Sequence, residues 1–430
     1  MTNDAANHWL PLTVAQEWMR RLLAENEQAR STVEMSYRIT GPLDVAALVS
    51  SIGDVVRRHD ALRLTFDDGD RPGQRVRDLA PDSRYVTCTE VKGTERGRFD
   101  RHAEMVATRD ATTPWDPRHE MPFRFRLLRL DPEYHALLAT FSQVAIDGGV
   151  RGIVGSDLWA AYRLRTSSGN VPPLDVPSSF VEALRGHAAE AATEMDARVG
   201  AFWRTQLSRV SAGFAFFSGS TPDIPVPGAR TSVVQIDGDR LDVLRALIRR
   251  HRTSEFVWLQ AALATALFPH VAQDHVAIWV PVDLRGATER RVLGAFTVTL
   301  PLVVERTPNF ADVVNQTARQ WHETLRHRRV NDHVLKYAGS DVLRTSTGMD
   351  RLVRSAYIGH PGQTRRTSIN GLTIESGAYP PRIQRATRGL HMRASSWPDK
   401  VRINLSCDGE HMSVDAADDV KSTLSRLLAS

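Results

Sequence analysis

The chain has 430 residues, of which 42% are hydrophobic and 24% charged, with a formal net charge of +5. That length accommodates two cores of about 150 to 250 residues each, and the composition is that of an ordinary globular protein. No window reaches the roughly 18 to 20 uncharged apolar residues of a membrane span, the start lacks a basic stretch followed by an apolar one, and no motif or aromatic-spaced basic stripe supports nucleic-acid binding. The expectation is therefore a cytoplasmic protein with no nucleic-acid or membrane partner. The two cysteines, Cys88 and Cys407, fit no metal-ligand spacing and are expected to be buried thiols.

In chain order, Leu10 to Gln16 opens a helix that Thr13 can cap, with Ala15, Trp18, Met19, Leu22 and Leu23 on one side. The segment from Gly41 to Phe66 predicts a helix with Val45, Leu48, Val49, Ile52, Val55 and Val56 inward, then a half-buried strand on Leu62, Leu64 and Phe66. Residues 67 to 80 are polar and rich in Gly and Asp, a hairpin or loop. A strand over Tyr85 to Val91, a helix over Phe99 to Thr108 and a strand over Pro122 to Leu130 follow. Next comes the stretch from His135 to Tyr162. An apolar strand ends at Phe141, a loop closes on Asp147-Gly148-Gly149, and Val150, Ile153, Val154, Leu158, Ala161 and Tyr162 recur at helical spacing. Strand, tight loop and helix present backbone donors and side chains at a sheet end, where chemistry is expected.

Pro, Gly and Ser gather between Arg165 and Ser179, the predicted boundary between an N-terminal lobe, 1–175, and a C-terminal lobe, 176–430. Phe180 to Leu207 is helical. A strand over Thr231 to Ile236, a helix over Asp239 to His251, a buried helix after Thr253 and a strand through Val276, Ile278, Val280 and Val282 follow. Phe310 to His327 reads as a helix, Leu352 to Gly359, Leu372 to Ser376 and Val401 to Cys407 as strands, and Ala416 to Leu428 as a closing helix. The interleaving of strands and helices lacks the regular alternation of a doubly wound sheet, which gives a mixed α+β class.

Several stretches carry a family resemblance. Leu10 to Gln16 is similar to the opening motif PLSxxQxxLW of condensation domains, and Arg58 to Phe66 to their RHExLRTxF. Ser142 to Gly148, SQVAIDG, resembles HHxxxDG, the active-site signature shared in shorter form with chloramphenicol acetyltransferases. Pro281 to Arg285 and Leu293 to Leu302 resemble two further motifs, with Val298 where the latter has asparagine. The eroded counterpart of HxDxP spans Arg329 to His333. The resemblance runs from about Leu10 to Leu428 and implies two chloramphenicol-acetyltransferase-like lobes, two-layer αβ sandwiches set in a V with a channel between them. It assigns His59 and Arg63 structural roles and pairs Asp147 with Arg285 from the strand end of the other lobe. It places Gly149, Thr297, Val298, Tyr357 and His360 along the channel.

Both histidines of the signature are missing. Ser142 stands for the first and Gln143 for the second, the one that handles protons in acyl transfer. A glutamine amide donates and accepts hydrogen bonds but has no pKa near neutrality and cannot be a general base. Gly148 and Gly149 fit either a loop needing open backbone geometry or a plain helix start. Ser142 as a nucleophile has no histidine partner in sequence. His333 and His391 carry weaker claims than His360, and Trp9, Trp159 and Trp203 read as packing residues.

Three functions stay open. The first is acyl transfer or amide or ester formation on carrier-bound or small acyl and amine substrates in specialised peptide assembly, with proximity replacing the base. The second is a noncatalytic domain that binds a carrier protein or recruits a tailoring enzyme, as altered family members do for haem monooxygenases. The third is a repurposed tunnel with other chemistry. No cofactor or metal is expected. No adenylation, carrier or thioesterase pattern accompanies the motifs, so the expectation is a stand-alone protein whose substrate arrives on the phosphopantetheine arm of a separate acyl or peptidyl carrier protein.

Overall fold

A computed structural model describes residues 9–25, 32–67, 72–79, 85–167, 179–191, 195–210, 226–271, 273–330, 353–359, 366–382, 389–409 and 412–428. The elements in chain order are α1 (Val14–Glu25), β1 (Thr32–Thr40), α2 (Val45–Arg58), β2 (Leu64–Asp67), β3 (Gly73–Val76), β4 (Val86–Glu90), α3 (Arg96–Thr112), β5 (Phe123–Asp131), β6 (Tyr134–Ser142), α4 (Val150–Thr166) and α5 (Phe180–Ala191). They continue with α6 (Met195–Val210), β7 (Val226–Asp237), α7 (Gly238–Arg250), α8 (Glu255–Leu267), β8 (His275–Asp283), β9 (Thr297–Glu305), α9 (Phe310–Arg326), β10 (Val353–Gly359), β11 (Arg366–Ile369), β12 (Leu372–Ser376), β13 (Leu390–Ser396), β14 (Lys400–Gly409) and α10 (Val414–Leu427). Among the described residues no helix is long and apolar enough to cross a membrane.

Local chemistry accounts for the helix starts. The Thr13 hydroxyl accepts from the Gln16 amide at 3.1 Å while the Gln16 side chain accepts from the Thr13 amide at 2.7 Å, a reciprocal capping box. Asp44 caps α2 by accepting from Ala47 N, and Ser254 caps α8 by accepting from Val257 N. Helix α8 is apolar on nearly every side and correspondingly buried, packed against α9 and α10.

The chain forms two compact units. The first holds a six-stranded sheet in the order β11-β12-β1-β6-β5-β4. Strand β6 lies at its middle, antiparallel to β1 with Thr32 opposite Ser142, and is buried at every position. One face packs Met35, Ile39, Leu137 and Phe141 under α2 and α4 through Leu48, Ile52, Ile153 and Leu158. The other packs Ala136 and Leu138 against Phe99 and Ala103 of α3. The second unit holds the sheet β7-β14-β13-β10-β8-β9, in which β10 is parallel to β8 and β13 and the other pairs described are antiparallel.

A single cut after residue 175 does not describe this division. The first unit comprises Met1–Glu190, Arg285–Thr297 and Gly362–Gln384, and the remainder forms the second. Helix α5 stays with the first unit because Phe180, Ala183 and Leu184 enter its core. The last segment returns because β12 pairs with β1, Tyr37 opposite Ser376. Strands β1, β9, β11 and β13 were not expected from sequence, and Cys88 is exposed on β4 while Cys407 is buried. As the terminal strand of its sheet, β4 leaves Thr87 to Glu90 all exposed, which overrides the usual preference of a free cysteine for the interior.

Candidate functional site

Strand β6 runs one residue beyond the predicted end, so Ser142 closes the strand rather than opening the loop. Its carbonyl then accepts from the amides of Ala145 and Ile146, folding the signature into a tight turn. Val144, Ala145 and Ile146 are buried beneath it, Gln143 is half-buried, and Gly148 and Gly149 are exposed at the start of α4. Ser142 is 8% exposed, and among the described residues no hydrogen bond joins it to a histidine.

The centre of the turn is the Asp147 carboxylate, 6% exposed. Its Oδ1 accepts from Gly149 N at 3.0 Å and from Arg285 Nη2 at 3.1 Å. Oδ2 accepts from Arg285 Nη1 at 2.8 Å, Phe296 N at 3.0 Å and the Thr297 hydroxyl at 3.1 Å. Arg285 in turn donates from Nε to Val292 O at 2.9 Å and from Nη2 to Gly294 O at 3.0 Å, and its guanidinium lies 4.6 Å from the Phe296 ring centroid. The buried charge is thus paired and bonded on all sides, the condition under which burial is tolerated.

This geometry amends three expectations. Asp147 and Arg285 are paired, but Arg285 belongs to the same compact unit as Asp147, so the pair fastens a returning segment. Neither Gly148 nor Gly149 has positive φ, and Gly149 is in right-handed helical geometry with φ −62° and ψ −19°. Of the two, only Gly149 is crowded: a Cβ there would stand 3.1 Å from Asp147 Oδ1, whereas at Gly148 it would meet nothing within 4 Å. Thr297 spends its hydroxyl on Asp147, and its neighbour Val298 is buried at 1% exposure.

In the second unit, Tyr357 on β10 donates to Glu255 Oε1 at 3.2 Å, and its phenol is raised first by burial and then by that carboxylate. His360 and His333 lie outside the described residues. His391 sits half-buried on β13. Trp203 is fully buried and donates to His327 O, while Trp9 is 45% exposed beneath the Arg75 guanidinium. Trp159 packs edge-on to Tyr37.

A second buried carboxylate went unremarked in sequence. Asp157 of α4, 2% exposed, accepts from Arg58 Nε at 2.9 Å and Arg291 Nη2 at 2.7 Å and lies 2.9 Å from His59 Nε2. Burial pushes its pKa up, but the bonds and charges of His59 and Arg58 outweigh that and hold it below the usual carboxylate range. The signal was available: residue 157 falls on the apolar stripe between Val154 and Leu158, and an acid there needs buried partners. Through it the RHD stretch, α4 and the 285–297 segment are tied together. Glu289 adds another tie, accepting from Gly286 N and lying 3.0 Å from His187 Nε2. Among the described residues no group of three His, Cys, Asp or Glu side chains is placed to hold a metal ion.

The Condensation domain family profile matches residues 6–342. Among curated relatives, a probable non-canonical nonribosomal peptide synthetase, CymA of Salinispora arenicola, is 28% identical over 349 residues, covering 77% of this chain and 4% of its own length. The phosphinothricin tripeptide synthetase PhsB of Streptomyces viridochromogenes is 28% identical over 345 residues, covering 76% of this chain and 28% of its own. The chain thus spans well under two thirds of these relatives. Among solved structures, the X-domain from teicoplanin biosynthesis superposes with a TM-score of 0.78 at 21% identity, covering 98% of this chain and 94% of that one, and its complex with OxyB with 0.77. The first condensation domain of the calcium-dependent antibiotic synthetase superposes with 0.74 at 19% identity, covering 99% and 96%.

Proposed function

The chain belongs to the condensation-domain family and has its chloramphenicol-acetyltransferase-like fold, and from that premise we propose that it serves nonribosomal peptide assembly as a binding domain. In this reading it holds a carrier-borne intermediate, presented on a phosphopantetheine arm, or recruits a tailoring enzyme to it, without performing acyl transfer. The observation that carries the reading is the contrast within one turn. The Asp147 carboxylate keeps five hydrogen bonds, while the position that would move the proton is Gln143, which has no ionisable group to do so. Orientation alone can contribute several kcal/mol to a reaction, but an acyl transfer that must deprotonate its acceptor forfeits about 10²- to 10⁴-fold without a base. A fold resembling that of the teicoplanin X-domain, whose structure in complex with OxyB is known, supports a role in which the surface rather than the turn does the work.

The test mixes purified protein with acyl-loaded carrier protein and candidate amines and follows intact mass. The expected outcome is a stable complex with the loaded carrier or a tailoring enzyme, no product above the uncatalysed rate, and no effect of Gln143→Ala. Product formed by the unaltered protein would overturn the proposal. Product that appears only after Ser142→His with Gln143→His would show that the turn still has catalytic geometry and that the missing imidazoles alone account for its silence.

A further inference from the structure

On the first unit, away from the Asp147 turn, a groove of about 370 Å³ runs between α2 and the outermost strand β4. Val49 and Gly53 form its helical side and Val86 and Cys88 its strand side. A Cβ at Gly53 would stand 3.3 Å from Arg57 Nη2, so the Arg57 head lies over the helix side of the groove. At one end two guanidinium groups share one carboxylate: Arg57 reaches Asp54 Oδ1 at 2.7 Å, and Arg165 reaches Asp54 Oδ2 at 2.6 Å. Two cations on one anion leave the groove a net positive charge. Both guanidiniums remain in contact with water, at 57% and 39% side-chain exposure.

The strand itself supplies the second observation. Strand β4 ends the sheet, and among the described residues it pairs only with β5, in parallel. Thr87, Cys88, Thr89 and Glu90 are exposed. A terminal strand offers backbone donors and acceptors to another extended chain, and natural proteins usually block such an edge with a charge or a proline in the strand. Here the run is Val-Thr-Cys-Thr-Glu, of high strand propensity and uncharged until its last residue. An apolar groove beside an open edge matches the geometry of strand addition, in which main-chain bonds give affinity and alternate side chains enter pockets.

We propose that this groove receives an extended acidic segment of a partner protein, which adds to the sheet alongside β4, seats an apolar side chain over Val49 and Val86, and sets a carboxylate against Arg57 and Arg165. The proposal stands apart from the state of the Asp147 turn. The open strand edge favours a peptide over a small amphiphile, which would leave those backbone groups unused.

The whole chain is titrated into a fluorescein-labelled, acetylated hexapeptide Val-Thr-Glu-Thr-Val-Thr, whose valines and glutamate share one face of an extended strand, with anisotropy as the readout. Cys88 serves as an internal reporter, since Cys407 is buried, and its alkylation by N-ethylmaleimide is followed by intact mass. The expected results are saturable binding, protection of Cys88 at the same peptide concentrations, and at least tenfold weakening in the Arg57→Ala, Arg165→Ala double variant with an unchanged melting temperature. Replacing glutamate by lysine, or methylating alternate peptide nitrogens, should abolish binding. No saturable binding, equal binding of the methylated peptide, or protection of Cys88 by decanoate as effective as by peptide would overturn the proposal. So would protection without peptide in samples that sediment as dimers, because a second copy would then occupy the groove.

Discussion

Replacing Asp147 by alanine leaves the Arg285 guanidinium, 5% exposed on its side chain, facing the place where its counter-charge stood. The two carbonyl bonds to Val292 and Gly294 remain, but the amides of Gly149 and Phe296 and the Thr297 hydroxyl lose their acceptor as well. Breaking one side of a buried ion pair costs about 3 to 5 kcal/mol, and a domain of 150 to 250 residues shifts its melting point by roughly 2 to 4 °C per kcal/mol. The expected fall is therefore roughly 6 to 20 °C in scanning calorimetry. Arg285→Met should cost a comparable amount by stranding the carboxylate. Because the second replacement removes the charge the first one stranded, the double variant should be less damaged than the sum, with a coupling of about 1 to 3 kcal/mol in a double-mutant cycle. A melting point within about 2 °C of the parent for Asp147→Ala, or strict additivity, would refute the view that this pair holds the 285–297 segment in place.

His135 is the second residue of β6, at 1% exposure, and among the described residues neither ring nitrogen has a partner. Burial first, then the Arg129 charge, lowers its pKa from 6.5 to about 4 against a smaller pull from Asp131. The unfolded chain therefore takes up a proton that the fold refuses between about pH 6.5 and pH 4, and stability should decline through that window on acidification and be flat above it. His135→Leu should flatten the acid limb of a urea-midpoint profile and raise the midpoint at pH 5. Gly155→Ala would place a Cβ 2.7 Å from the Tyr37 hydroxyl and should cost about 1 to 3 kcal/mol. Tyr37→Phe in the same chain should recover much of that loss in chemical denaturation. Asp157→Ala should cost about 3 to 5 kcal/mol, whereas Arg291→Ala, whose side chain is 65% exposed, should stay within about 1 kcal/mol in parallel melts.

Periodicity made the local elements readable. The spacing of Val150, Ile153, Val154, Leu158 and Ala161 marks α4, and Thr13 announces the start of α1, while its reciprocal partner Gln16 emerges only from the structure. What could not be read was partnership. A segment such as Leu372 to Ser376 looks like a strand from its own residues, but nothing in them says that it completes a sheet begun at Thr32. The boundary failed for the same reason: the run of Pro, Gly and Ser marks a loop, while unit membership is decided by where the apolar face of α5 finds its mates. At the turn, residue types disclosed the missing base and the surviving ion pair, yet the role of Gly149 needed a distance. Edge strands escape such reading too, since Val86 to Glu90 reads alike at a margin or in a middle.

The returning strand has a consequence for how this protein comes into being. Until Ser376 has been synthesised, one flank of β1 lacks its neighbour, and until Arg285 emerges the Asp147 carboxylate lacks its counter-ion. The nascent N-terminal half is thus long enough to collapse but unable to finish, and it carries an open margin of the kind that recruits stray chains. Anyone grafting this unit into another protein must transplant three separated pieces, because a scissor cut after residue 175 yields a sheet without β11 and β12.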